Sequence, residues 1–322
     1  MEAALLAPFA WLYGTIAARH LRRDGERAAA RVVCIGNPTV GGAGKTPAAI
    51  ALAQLLRDAG ETPVFLTRGY GGRLAGPVQV DPALHSASDV GDEPLLLARH
   101  CPTIVARDRP AGAVLAVTVG ASVIVMDDGF QNPSLIKDVA ILVIDARRGI
   151  GNGRVLPSGP LRAPLANQLA KAHALLIVGQ GDSAAVMRAD AQARNLPIFS
   201  GKLQSDRKAC AALRTSKVLA FAGIGDPEKF FATLAEAGIP APVQRSFADH
   251  HRYTQADATG LLKEANTNGL TLLTTEKDLA RMQGDPALAE LRARAKALPV
   301  TLALQNPKGM RRFLLEGIKT SR

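Results

Sequence analysis

The sequence predicts an α/β fold: a larger unit built on a parallel sheet, a second and smaller α/β unit, and an apolar helix at the N-terminus. Three observations carry this. From residue 31 onward short apolar runs alternate with helical stretches; a fresh alternation begins near residue 217; and residues 3–18, AALLAPFAWLYGTIAA, hold no charge. Strands alternating with helices imply right-handed crossovers and a sheet covered on both faces.

Residues 1–30 form the first segment, the apolar run followed by a basic flank. At ~1.5 Å per residue a helix over residues 3–18 reaches only ~24 Å, short of the ~30 Å hydrocarbon core, so it should lie on a membrane surface rather than cross. Glu2 replaces the basic start of a signal peptide, and Arg19, Arg22, Arg23, Arg27 and Arg31 follow the run instead. Anionic cytoplasmic lipids attract such flanks. An ordinary core helix is the alternative.

The larger unit, 31–206, has strands expected at 31–36, 63–67, 103–107, 123–128, 141–145 and 174–178, with a helix over 46–59. The second unit, 207–322, opens with KVLAFAGIGDPEKF at 217–230, where a strand ends in a Gly turn and Asp226-Pro227 starts a helix. Residues 271–278 and 300–306 read as its later strands and 311–318 as a closing basic helix. Residues 146–180 contain Arg147, Arg148, Arg154, Arg162 and Lys171 and no acid, and the first half is rich in Gly and Pro. That loop leaves the carboxyl end of a strand, where open α/β sheets bind ligands; a solvated surface loop is the other reading.

Composition narrows the function. An apolar share of 47% with 21% charged residues excludes disorder for a chain of 322 residues. Cys34, Cys101 and Cys210 are far apart and lack C-x-x-C spacing, which argues against a disulfide framework or structural zinc and for a reducing, cytosolic setting. The excess of 39 basic over 28 acidic residues, +11, points to an anionic partner. Aromatics at 4%, with no basic and aromatic cluster, turn that away from nucleic acid and toward a headgroup surface or a phosphorylated substrate. No segment calls for an obligate protein partner.

The chemistry lies in GNPTVGGAGKTP, 36–47. It follows a buried strand and precedes a helix, the setting of a phosphate loop, although Thr39 stands where the usual spelling has glycine. Gly41, Gly42 and Gly44, with Ala43 between, let backbone N–H groups face an anion; Lys45 would reach the outer phosphates and Thr46 would hold Mg²⁺. Such a site needs a carboxylate at a neighbouring strand end, and Asp127 and Asp128 provide two, with Asp145 a competitor. Asp92 and Glu93 precede a helix and Asp249-His250-His251 lies in the second unit. Each is a candidate for acid–base work, and dipole partnership is the plainer reading of the first pair.

Taken together, the motifs resemble the tetraacyldisaccharide 4'-kinases of lipid A biosynthesis over nearly the whole chain. Those carrying the resemblance are the N-terminal helix with its flank, GNPTVGGAGKTP, TRGYGG (67–72), GDEP (91–94), DDGFQ (127–131), LPSGPLR (156–162), FAGIGDPEKF, FADHHRY (247–253) and LLTTEKDLAR (272–281). The resemblance implies a P-loop kinase at the cytoplasmic face of the inner membrane, moving the γ-phosphate of ATP, with Mg²⁺, to the 4'-hydroxyl of a lipid A disaccharide 1-phosphate. It implies Asp92 and His250 as catalytic couple, Thr46, Asp127, Asp128 and Glu93 around Mg²⁺, and Arg109, Gln131 and Arg162 as supporting residues. Asn132 and Ala163 depart from it, standing where relatives often have His and Glu. The core GGAGKT also resembles that of ParA-like ATPases, but their extra lysine would fall at Val40.

Overall fold

The computed structural model describes residues 6–320. Among them, the strands of the first unit are β1 (Arg31–Gly36), β2 (Pro63–Thr67), β3 (Val78–Gln79), β4 (Thr103–Val105), β5 (Val123–Asp127), β6 (Val139–Asp145), β7 (Ala174–Val178) and β8 (Ile198–Ser205). The second unit holds β9 (Val218–Ala222), β10 (Val243–Ser246), β11 (Thr271–Thr275) and β12 (Lys296–Leu298), and β13 (Val300–Leu304) follows. The large sheet has the order β13-β8-β7-β6-β1-β5-β2-β4-β3, parallel throughout except at its two edges, where β3 and β13 run antiparallel. The smaller sheet, β10-β9-β11-β12, is parallel.

The two-residue period of β1 explains why the sheet is sandwiched. Val32 and Cys34 enter one core and Val33 and Ile35 the other. Helix Lys45–Arg57 covers the second face with Ala48, Ala49, Leu52, Ala53 and Leu56, and the fully buried Leu52 and Leu56 each contribute roughly 1.5–3 kcal/mol. The helix begins directly after β1, so this packing fixes the connecting loop.

One boundary differs from expectation. Residues 207–322 do not form a single unit: β13 pairs with β8 of the large sheet, and helix Pro307–Thr320 packs Met310, Leu314 and Ile318 into the same core as Leu52. Pro299 separates β12 from β13, which lets the chain change sheets there. The outgoing and returning chains touch, Asp206 N–H donating to the Pro299 carbonyl at 2.9 Å. Chain order alone does not disclose such a return.

The N-terminal helix runs over Ala7–Leu21; residues 3–5 of the expected helix lie outside the described residues. It buries only Ala10, Gly14 and Leu21, while Phe9, Trp11, Leu12, Tyr13 and Ile16 face outward. A core helix would show the reverse. Among the described residues no helix is long and apolar enough to cross a membrane.

Candidate active site

The phosphate loop is held from below and from one side. Gly41 and Gly44 adopt φ of +101° and +84°, which a side chain would strain. Asn37 Nδ2 donates to the Gly41 carbonyl at 3.3 Å. On its flank the Gly/Pro loop is zipped on by backbone bonds, Val40 N–H to Pro160 O at 2.9 Å and Arg162 N–H to Pro38 O at 2.8 Å. Thr39 sits in this bridge, its carbonyl receiving Arg162 Nε at 3.1 Å, so its role is backbone geometry.

The two acids after β5 are in contrasting states. Asp127 is buried at the strand end beside Ile35 of β1, and neither carboxylate oxygen has a partner. Burial, then the nearby Glu93 and Asp128, push its pKa up to about 7. Asp128 has φ of +54° and turns toward cations, Arg162 Nη1 at 2.7 Å and Lys45 Nζ at 3.8 Å. Burial works upward on Asp128, but Lys45 and Arg162 hold it below the usual carboxylate range. An orphaned, buried carboxylate lining the same cleft as buried Thr46 is chemically suited to a hard divalent cation. Among the described residues no group of three or more His, Cys, Asp or Glu side chains is placed to hold a metal ion.

A third cluster adjoins these acids through Glu93, which acts on Asp127. Asp92 opens the short helix Asp92–Leu97 and is 5% exposed, its Oδ1 accepting the Glu93 N–H at 2.9 Å. Its Oδ2 faces His250 Nδ1 at 3.6 Å and receives Arg281 Nε at 3.1 Å. Burial raises the Asp92 pKa, but His250, Arg281 and Lys277 more than offset it and hold the carboxyl well below its ordinary range. Asp92 in turn raises the His250 imidazole, against burial. His250 has φ of +56° and packs on Tyr70 with ring centroids 5.2 Å apart. A cleft of about 1970 Å³ has Lys45, Thr46, Asp127, Glu93, Arg109 and His250 on its walls.

A nucleotide-type phosphate cradle, a cation-ready carboxylate and the histidine of an Asp–His couple therefore line one cavity. The family model described as tetraacyldisaccharide-1-P 4'-kinase matches residues 2–319. The chain belongs to that family. It is 56% identical over 318 residues to the tetraacyldisaccharide 4'-kinase of Rhodopseudomonas palustris (strain BisA53), covering 99% of this chain and 93% of the relative. The Nitrobacter winogradskyi tetraacyldisaccharide 4'-kinase is 52% identical over 314 residues, 98% of this chain and 93% of its own. The crystal structure of LpxK from Aquifex aeolicus in complex with ATP is similar with a TM-score of 0.75 at 26% identity, covering 99% of this chain and 100% of that one. The full-length match removes the ParA-like alternative.

Within this 4'-kinase family member Gln131 belongs to a hydrogen-bonded network at the start of the phosphate loop. Gln131 Nε2 donates to Asn37 O at 2.9 Å and to Gln168 Oε1 at 3.0 Å, and Gln168 Nε2 reaches Pro38 O and Ala163 O. Arg109 is buried, donates to Ala106 O at 2.6 Å and keeps its Nε unpartnered. Asn132 spends its side chain on Ser134, whose N–H and hydroxyl both donate to Oδ1, and Ala163 is fully buried. His251 lies off the couple, 3.1 Å from Asp257 and stacked on Phe247. Asp145, the competing strand-end acid, instead pairs with Lys229 of the second unit at 2.8 Å.

Lys277, Arg281, Gln168 and Lys229 are the residues that motif reading missed as site elements. Lys277 pairs with Glu93, and Arg281 with Asp92, from a helix of the other unit. The four-residue spacing of these two cations within TTEKDLAR is the signal that could have found them, since it puts both on one helix face.

Proposed function

We propose that this kinase moves the γ-phosphate of ATP to the 4'-hydroxyl of a lipid A disaccharide 1-phosphate, working from the cytoplasmic face of the inner membrane. The observation that carries the reading is the unpartnered Asp127 carboxylate beside the phosphate loop, with His250, the partner of buried Asp92, lining the same cleft. The first suits the donor and the second an incoming hydroxyl.

In this reading the N–H groups of residues 41–44 and the Lys45 ammonium receive the phosphates, and Arg162 and Asp128 keep Lys45 aimed at them. Thr46 and Asp127 would hold Mg²⁺, with Asp128 and Glu93 completing the acidic wall; the ion would neutralise charge on the phosphates. The Asp92–His250 couple takes the proton of the acceptor hydroxyl, His250 orienting it and Asp92 supplying the negative charge; such a base contributes about 10²–10⁴ in rate. Arg109 stands as a further cationic wall residue.

The helix Ala7–Leu21 supports the membrane placement. Its outward Phe9, Trp11, Leu12 and Ile16, with Arg19, Arg22 and Arg23 at the end, suit insertion into an anionic interface, and fifteen residues reach only ~22 Å. This brings the site to a substrate whose acyl chains stay in the bilayer. Transfer of label from Mg-ATP to the disaccharide 1-phosphate, with product found only when the acceptor is present, tests the reading.

A further inference from the structure

The kinase reading gives Asp92 its task, and the second unit supplies what holds it. Helix Glu276–Arg281 is capped by Thr275, whose Oγ1 accepts the Asp278 N–H at 3.1 Å. The helix presents Lys277 and Arg281, one turn apart, to the first two residues of helix Asp92–Leu97. Lys277 takes Glu93; Arg281 places Nε and Nη2 on Asp92 Oδ2.

Arg281 is itself tethered on its other side. Nη1 donates to the Gly223 carbonyl at 2.9 Å and to Asp278 Oδ1 at 2.8 Å, and Asp278 accepts the Gly223 N–H at 3.1 Å. Its side chain is 7% exposed. Each branch of the planar fork is therefore committed, one to the first unit's acid and one to the second unit's backbone and acid. A lysine ammonium lacks the rigid fork that serves both.

We propose that Arg281 is a positioning residue: it fixes the Asp92 carboxylate against His250 and makes that orientation depend on where the second unit sits. Glu93 N–H on Oδ1 and Arg281 on Oδ2 leave the carboxylate one orientation, the one that faces His250. Movement of the helix Glu276–Arg281 shifts the guanidinium and, with it, the acid. The inference rests on the kinase reading and adds to it the means by which the two units share one base.

The test uses the full chain in detergent with Mg-ATP and the disaccharide 1-phosphate. Arg281→Lys and Arg281→Gln are measured alone and in the Asp92→Asn background, with radiolabelled ATP and long incubations for the slow variants. Thermal melting is recorded for each. Expected are a fall in kcat of at least about tenfold for R281K with KM for ATP within about twofold, a larger fall for R281Q, and no further fall for either in the Asp92→Asn background. Should R281Q fail to fold, R281K decides. A folded R281K with wild-type kcat, a loss that persists undiminished without the Asp92 carboxylate, or a rise in KM for ATP alone would overturn the positioning role while leaving the kinase reading standing. A wild-type chain that transfers no phosphate to the acceptor overturns the kinase reading first and this inference with it.

Discussion

Arg162 forks onto Asp128, with Nη1 2.7 Å from Oδ1 and Nη2 3.3 Å from Oδ2, and so joins the Gly/Pro loop to the acidic end of β5. Its Nε reaches the Thr39 carbonyl, so one guanidinium ties together three segments around Lys45. Arg162→Ala should lower kcat/KM by on the order of 10²-fold, with Arg162→Lys recovering only part because it keeps the charge and loses the fork. Steady-state kinetics across ATP concentrations check this; a change in KM alone would reduce Arg162 to ground-state binding.

Asp127 should make the nucleotide-free protein pH-sensitive. Its folded pKa of about 7 lies above the ordinary 3.8, so the folded state binds the extra proton and loses stability as pH rises between the two values. Below that window the penalty is absent, and above it constant, on the order of a few kcal/mol. Asp127→Asn should therefore raise the melting temperature at pH 8 and change it little at pH 4. Mg²⁺ with ATP should stabilise the wild type more at pH 8 than at pH 6, and this difference should vanish in the variant. Calorimetry at the three pH values reads both effects.

His250 should titrate above its ordinary 6.5 because Asp92 favours the imidazolium. The sign follows: the pair's contribution is fully present below pH 6.5 and is lost as pH climbs through the raised value. In Asp92→Asn the imidazole should titrate lower, since burial and Arg281 then act on it with less opposition. Ring proton shifts by NMR measure the difference, and an unchanged His250 would break the couple.

The outward face of the N-terminal helix should govern membrane affinity. Trp11 is 73% and Phe9 65% exposed, so Phe9→Glu with Trp11→Glu should leave the melting temperature unchanged while weakening binding to anionic phospholipid vesicles at least about tenfold. Vesicle sedimentation at two salt concentrations checks it. Binding equal to wild type would leave this face without a membrane role.

The sheet was legible because β1, β5, β6 and β7 are continuous apolar runs that admit little else in a parallel sheet. Short or partly polar strands were not: β3 has two residues, and β8 reads IFSGKLQS without a clear period. The return of β13 to the large sheet was hidden because pairing partners far apart in the chain leave no local trace. In the site, local motifs marked Lys45, Asp127 and Asp92. Lys277 and Arg281 were hidden because their importance depends on a contact between units across 184 and 189 residues of chain.

Service of the donor by the phosphate loop and of the acceptor by the Asp92–His250 couple is open to a single labelling assay. Wild type and Asp92→Ala are given Mg-ATP labelled at the γ-phosphate, with and without the disaccharide 1-phosphate, and the label on the 4'-hydroxyl is quantified. Expected are acceptor-dependent labelling by the wild type and, in Asp92→Ala, a loss of about 10²-fold or more in kcat with ATP affinity preserved. ATP hydrolysis at the same rate with and without acceptor, and no labelled lipid, would contradict that division of roles.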